Sequence, residues 1–336
     1  MKKVAILGAG SWAIGLGSVL WDNGHYIKMW EIDKNRAEEL SKKKVLYDKL
    51  PDVKIPENNF EISSDLEYVV KDVDYIVVVV PSVYFRGTIQ LLKNFYKNKI
   101  PIISATKGLE NKTFKFMTQI IEEVIEESFG RTVALSGPTH AEEVVKRMPT
   151  TIVSASKNIK LAKEVQKLFS NKYFRVYSHY DELGVQLSGA VKNVIAIAAG
   201  IGDGLGLGDN AKAALITRGL VEMERLGKVL GAQSETITGL AGIGDLIVTC
   251  TSKHSRNRYL GEMLGKGKKL KDILDEMTMV AEGVPTCEAI YNYAKKLELD
   301  LPIVVEVYNI LFKDKSPNKA LEDLMNRELK QEGFYL

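Results

Sequence analysis

Short apolar runs alternate with amphipathic segments through the first half of the chain, and the alternation changes character near Asp181. Val4–Leu7, Tyr26–Trp30, Tyr75–Val80, Ile100–Ser104, Val133–Ser136 and Thr150–Ser154 read as strands, with helical patterns between most of them. Strands separated by helices in this way predict a doubly wound parallel sheet. Tyr75–Val80 is continuously apolar, as a central strand covered on both faces should be, and it stops at Pro81-Ser82. Beyond Asp181, Leu183, Leu187, Val191, Val194 and Ala198 recur at helical spacing and strand signals almost cease. Helices are expected over roughly Asn210–Leu226, Asn257–Gly265, Thr286–Leu297, Ile303–Phe312 and Ala320–Leu329. Between them lie two glycine-rich stretches, GIGDGLGLGDN and GLAGIGD, whose plainest reading is a flexible connection. The first is not a phosphate-binding P-loop, since it lacks a closing Gly-Lys-Ser/Thr.

The N-terminal KKVAILGAGSWAIGLG has a mechanical reading. Val4–Leu7 would be a buried strand, Gly8 the tight turn and Gly10 the point where backbone approaches a pyrophosphate. The helix that follows then offers its N-terminal amides and positive dipole end to that anion. Ala13 replaces the third glycine of the fingerprint, a tolerated change because that position needs only a small residue where helix meets sheet. The same stretch, headed by Met1-Lys2-Lys3, also has the outline of a secretory signal. Glycines in a turn pattern, the lack of a clear cleavage site, and a second strand at Tyr26–Trp30 all argue for the nucleotide turn and a cytoplasmic chain. The expected fold class is therefore α/β. A Rossmann-type dinucleotide-binding domain spans residues 1–190 and an all-helical substrate-binding domain spans 191–336.

Composition narrows the function without naming it. A net charge of +3, with no basic run interleaved with aromatics, gives no nucleic-acid signature. The only apolar stretch of spanning length is the N-terminal one already assigned, so no membrane span is expected. Cys250 and Cys287 form no CxxC pair and read as reduced, partly buried thiols. The four histidines are scattered, so no metal site is expected.

Chemistry concentrates in a few segments. Lys192 stands in the apolar helix LSGAVKNVIAIAAG, where an ammonium without a partner would be costly. Either it snorkels from a helix edge or it sits in a cleft where its charge can be tuned for proton transfer; Ser188 and Asn193 nearby favour the cleft. Lys107 ends the strand segment IPIISATKG, at the sheet edge where ligands bind, though a solvated turn lysine reads almost equally well. In SGPTHAEEV, Thr139 and Glu142 have capping-box spacing. Asp245 ends GLAGIGD and has a helix cap as its plain alternative. Ser255, Arg256 and Asn257 stand in succession at a helix start, a set suited to a phosphate, with an ordinary solvated helix start as the alternative.

Taken together, GAGSW, VVVPS, ATKGLE, SGPTHAEEV, FRVYSHYDELGVQLSGAVKNVIAIAAGI, NAKAALITRGLVEM, GLAGIGDLIVTCTSKHSRNRYLG and VAEGVPT resemble, in family order and over nearly the whole chain, the bacterial NAD(P)-dependent glycerol-3-phosphate dehydrogenases. The resemblance implies reversible reduction of dihydroxyacetone phosphate to sn-glycerol 3-phosphate for glycerophospholipid synthesis, and admits a homodimer. It implies that Lys192 is the catalytic acid/base, with Lys107 and Asp245 positioning the reacting end of the substrate. Ser255, Arg256 and Asn257 would hold the phosphate, and Gly137 and Thr139 would line the substrate site. Gly8, Gly10, Ser11, Trp12, Glu31, Asp33, Lys107, Ala141, Arg256, Val280 and Glu282 fall where the family touches the dinucleotide.

One departure bears on the cofactor. Where the family often carries an Arg or His that meets the NADP 2′-phosphate, this chain has Ile32 between Glu31 and Asp33. An acidic residue at the end of the second strand, about 20 residues after the glycines, bonds the ribose hydroxyls of NAD and repels a 2′-phosphate. NAD(H) is therefore expected to be favoured over NADP(H), with Lys49, in place of the family's tyrosine, a possible source of compensating charge. A related hydroxyacid dehydrogenase with a catalytic lysine and a non-catalytic NAD-sensing module stand as alternative readings.

Overall fold

The computed structural model describes residues 1–46, 50–97, 99–277, 280–329 and 331–332. The chain parts into two compact units: Met1–Lys107 with Met117–Glu182, and Gly108–Phe116 with Leu183–Leu336. A single helix, Glu182–Gly204, runs without a break through position 190, where the sequence pattern placed the division.

Among the described residues the first unit contains ten strands: β1 Lys3–Leu7, β2 Tyr26–Trp30, β3 Val45–Leu46, β4 Leu50–Lys54, β5 Phe60–Ser63, β6 Tyr75–Val78, β7 Ile102–Ser104, β8 Thr132–Ser136, β9 Thr150–Ala155 and β10 Phe174–His179. Eight form one sheet in the order β10-β9-β8-β7-β6-β1-β2-β5, and β3 with β4 makes a separate hairpin. All six expected strands are present. The sequence pattern did not show β5, β10 or the hairpin. β5 has four residues, and β10 alternates buried and exposed positions in its first half, so neither carries the continuous apolar run that marks β6. The sheet is parallel except between β8 and β9. Their connection carries only the four-residue helix Ala141–Val144, less than the usual crossover helix, and the chain turns back. Val4, Ile6, Ile76, Val77 and Ile103 are fully buried in the sheet's centre.

The second unit is helical throughout its described elements. Its core helix Glu182–Gly204 is apolar and long enough to cross a membrane, yet 94% of its most apolar stretch is buried inside the fold. Half of GIGDGLGLGDN belongs to this helix rather than to a loop. A Cβ on Gly200 would lie 1.9 Å from the Arg258 carbonyl, and one on Gly261 would lie 2.0 Å from the Ile197 carbonyl. The glycines let this helix and Arg256–Gly265 cross backbone to backbone. GLAGIGD is not a loop either: Leu240–Gly244 forms a π-helical turn that runs into the helix Asp245–Thr251. At Gly242 a Cβ would sit 1.8 Å from the Ile237 carbonyl, so only glycine fits that turn.

Glu222, on the helix Asp209–Leu230, is 2% exposed and accepts the Ile303 and Val304 N–H groups at 2.6 and 3.1 Å. It thus caps the helix Pro302–Phe312 from another element. Burial pushes its carboxyl up to about 8, against the lowering effect of those two donors. A carboxyl whose folded pKa exceeds its unfolded one contributes most below the unfolded value, and that contribution is lost as pH rises through the folded one. Glu222→Gln keeps an acceptor and removes the titration. Its stability relative to the parent should rise between pH 5 and 9, by on the order of 1–3 kcal/mol. Denaturant midpoints measured across that range check this; a pH-independent difference would refute it.

Candidate active site

In the first unit β1, β2, β6, β7 and β8 run in parallel, so their carboxyl ends share one edge of the sheet. The chain leaves β1 toward β2 on one side and resumes at β6 on the other, which makes the β1–β6 border the topological switch point. Gly8 follows β1 with φ +108°, and its N–H donates to the Trp30 carbonyl at 2.9 Å. A Cβ there would meet the Val79 carbonyl oxygen at 3.0 Å. Gly10 caps the helix Ser11–Asp22, and a Cβ on it would find nothing within 4 Å. The space in front of the helix's first amides is therefore open. In that first turn Trp12 Nε1 is a buried donor with no hydrogen-bond partner among the described residues. An open glycine, helix amides and an unused donor fit a dinucleotide pyrophosphate. Ala13 is fully buried, and a Cβ on Gly15 of the same helix would lie 3.8 Å from Ala141 Cα.

At the end of β2 the Glu31 carboxylate accepts the Asp33 N–H at 3.2 Å and lies 3.4 Å from Arg36 Nε. Asp33 itself accepts the Arg36 N–H at 2.9 Å and caps the helix Lys34–Lys43. Ile32 is 70% exposed. Lys49 lies outside the described residues. Further along the edge, Lys107 Nζ and Thr139 Oγ1 both donate to the Gly137 carbonyl at 3.1 Å, which brings three of the expected substrate residues together. The capping box expected of Thr139 and Glu142 does not form. His140 is the cap residue of a one-turn helix, and the Thr139 hydroxyl turns back to Gly137.

The second unit holds the lysine cluster. Lys192 is 6% exposed, and its ammonium donates to Asp245 Oδ1 and Thr249 Oγ1, each at 2.6 Å. The Thr249 hydroxyl in turn donates to the Asp245 carbonyl at 2.6 Å. Lys192 therefore does not snorkel to solvent, and Asp245 is an ion-pair partner, not a side-chain cap. Thr249 was missed. The signal for it was its place four residues after Asp245, on the same helix face, which the loop reading of GLAGIGD concealed.

Next to Lys192, Asn193 Oδ1 accepts from Asn257 Nδ2 at 3.0 Å, and Asn257 Oδ1 accepts the Gly283 N–H at 2.9 Å. Asn257 thus ties three helices together. Ser255 caps the helix Arg256–Gly265 by accepting the Arg258 N–H at 3.2 Å. Arg256 is exposed in that first turn and pairs with no carboxylate among the described residues. Val280 is 40% exposed, and Glu282 precedes the helix Gly283–Lys296. Cys250, buried one residue beyond Thr249, has its thiol pushed by desolvation up to about 12 and is inert.

A nucleotide turn at a sheet's switch point and a buried, hydrogen-bonded lysine on a helical unit meet the two demands of a dinucleotide-dependent dehydrogenase, and that is the class this fold defines. The family profile described as NAD-dependent glycerol-3-phosphate dehydrogenase N-terminus matches residues 3–162, and its C-terminal counterpart matches residues 181–322. The chain is 48% identical over 332 residues to glycerol-3-phosphate dehydrogenase [NAD(P)+] of Oceanobacillus iheyensis, covering 99% of this chain and 96% of that protein. The crystal structure of glycerol-3-phosphate dehydrogenase from Coxiella burnetii superposes with a TM-score of 0.93 at 37% identity, covering 97% of this chain and 99% of that one. The chain belongs to the NAD-dependent glycerol-3-phosphate dehydrogenase family and is an NAD(P)-dependent oxidoreductase.

Removing one partner of a buried ion pair strands the other charge, at a cost of about 3–5 kcal/mol. Asp245→Asn should lower stability by an amount of that order, whereas Thr249→Val loses the two hydrogen bonds of its hydroxyl, about 1–2 kcal/mol in all. Urea unfolding of both variants checks the ranking; equal midpoints would contradict it.

Proposed function

We propose that this chain catalyses the reversible reduction of dihydroxyacetone phosphate to sn-glycerol 3-phosphate for glycerophospholipid synthesis, in the cytoplasm, with NADH favoured over NADPH. The observation that carries the reading is the Lys192 ammonium, buried and bonded to Asp245 and Thr249. When bound, the nicotinamide supplies the hydride. Lys192 donates a proton to the carbonyl oxygen in the reduction and takes it back from the alcohol in the reverse direction. Asp245 and Thr249 hold the ammonium in one place, and the Asn193–Asn257–Gly283 link holds the adjoining turn.

Arg256 and the first amides of its helix bind the substrate phosphate. Ser255 and Asn257 support that site by capping and cross-linking. The phosphate is remote from the reacting carbon, so its binding energy orients the substrate and lowers the barrier. Lys107, with Gly137 and Thr139, serves the reacting end. Gly8, Gly10, Ser11 and Trp12 take the pyrophosphate, while Ala141, Val280 and Glu282 complete the dinucleotide contacts. Glu31 supports the NADH preference, because a carboxylate at the end of β2 accepts ribose hydroxyls and repels a 2′-phosphate. Two buried free cysteines support the cytoplasmic placement. Arg256 favours a phosphorylated substrate over a plain hydroxyacid, and the buried lysine pair has no use in a protein that only senses NAD.

Steady-state assays with dihydroxyacetone phosphate should give a higher kcat/KM for NADH than for NADPH; the reverse order removes the preference. Oxidation of neither coenzyme removes the whole reading. Lys192→Ala should lower kcat at least about 100-fold, while the Kd for NADH measured by tryptophan quenching stays within about twofold.

A further inference from the structure

We propose that Arg36 recognises the 2′ position of the adenosine ribose, pairing with Glu31 when the coenzyme is NADH and taking up the 2′-phosphate when it is NADPH. The inference rests on the dinucleotide reading above and extends it to a residue outside the expected set.

The acidic residue at the end of β2 is not a lone charge. The Glu31 side chain is 14% exposed, one oxygen accepting the Asp33 N–H and the other lying 3.4 Å from Arg36 Nε. Arg36 is placed by its backbone: the Asp33 carboxylate accepts its N–H and fixes it in the first turn of Lys34–Lys43. Its side chain is 32% exposed, so it reaches solvent while keeping Nε buried against Glu31. Ile32, at the position where the family often has a basic residue, is 70% exposed and bonds neither a ribose hydroxyl nor a phosphate.

The Arg36–Glu31 separation exceeds the 2.7–2.9 Å of a tight charge-assisted bond. A phosphate with charge near −2 and three acceptor oxygens competes for a guanidinium better than a single carboxylate does, and accepts it bidentately. With NADH, Arg36 offsets the Glu31 charge and holds the carboxylate toward the diol. With NADPH, the guanidinium exchanges Glu31 for the 2′-phosphate and screens the two anions from each other. On this account Glu31 sets the preference, and Arg36 determines how much NADPH affinity remains.

Isothermal titration of the full-length protein with NADPH, NADH, 2′,5′-ADP and 5′-AMP tests the proposal, because the two nucleotides differ only in the phosphate in question. Arg36→Ala should weaken NADPH and 2′,5′-ADP about tenfold or more, and NADH and 5′-AMP by no more than about threefold. Arg36→Lys should restore part of the loss. Glu31→Gln, which removes the carboxylate charge beside the guanidinium, should tighten 2′,5′-ADP and loosen NADH. If 2′,5′-ADP affinity is unchanged in Arg36→Ala, or if only NADH weakens, Arg36 does no more than position Glu31 and the proposal fails. A parent chain that binds neither NADPH nor 2′,5′-ADP also overturns it. A parent chain that prefers NADPH but loses that affinity on Arg36→Ala would end the NADH preference and leave this assignment standing.

Discussion

An ammonium in the interior of an apolar helix obliges the surrounding chain to supply a counter-charge, since an isolated buried ion costs far more than a domain's whole margin of stability. Much of the helical unit follows from meeting that demand for Lys192. Asp245 must arrive within a hydrogen bond of it, and Thr249 one helical turn later adds a second acceptor. The π turn that delivers Asp245 exists only because Gly242 has no side chain to strike the Ile237 carbonyl. The lysine helix is in turn held by its glycine crossing with Arg256–Gly265, and by the Asn193–Asn257–Gly283 relay one residue from Lys192. The same constraint that secures the fold holds the Lys192 ammonium in one place.

In the first unit the governing constraint is parallel strand order. Five strands running the same way bring Gly8, Glu31, Lys107 and Gly137, widely separated in sequence, to one edge. The left-handed Gly8 and the open side of Gly10 leave the first amides of the following helix uncovered at that edge. In the short chain after β2 Glu31 accepts the Asp33 N–H, Asp33 caps the next helix, and Arg36 lies beside the Glu31 carboxylate.

How far this was legible in the sequence varied with how local the cause was. β6 was plain, because a central strand covered on both faces must be apolar throughout. β5 and β10 sit at the sheet's edges, with one side unpaired and polar positions admitted, and periodicity did not single them out. GLAGIGD was read as a loop because glycine runs usually are; here Gly239 and Gly242 lie against carbonyls of the preceding turn, which composition does not reveal. Ser255, Arg256 and Asn257 looked like one phosphate cluster. In the folded chain their tasks divide, with Ser255 capping, Asn257 cross-linking and Arg256 left exposed.

By itself, then, the sequence determined the fold class, and it pointed to the turn at Gly8 and to Lys192, since strand burial, glycine geometry and the cost of an unpaired charge are local rules. Tertiary structure alone decided what each charged group faces. The Lys192–Asp245 pair spans 53 residues and depends on a π turn. The Glu31–Arg36 pair spans only five positions, yet depends on where Asp33 starts a helix. Coulomb and hydrogen-bond energies fall off within a few ångströms, so they are specified only once the backbone has brought the partners together.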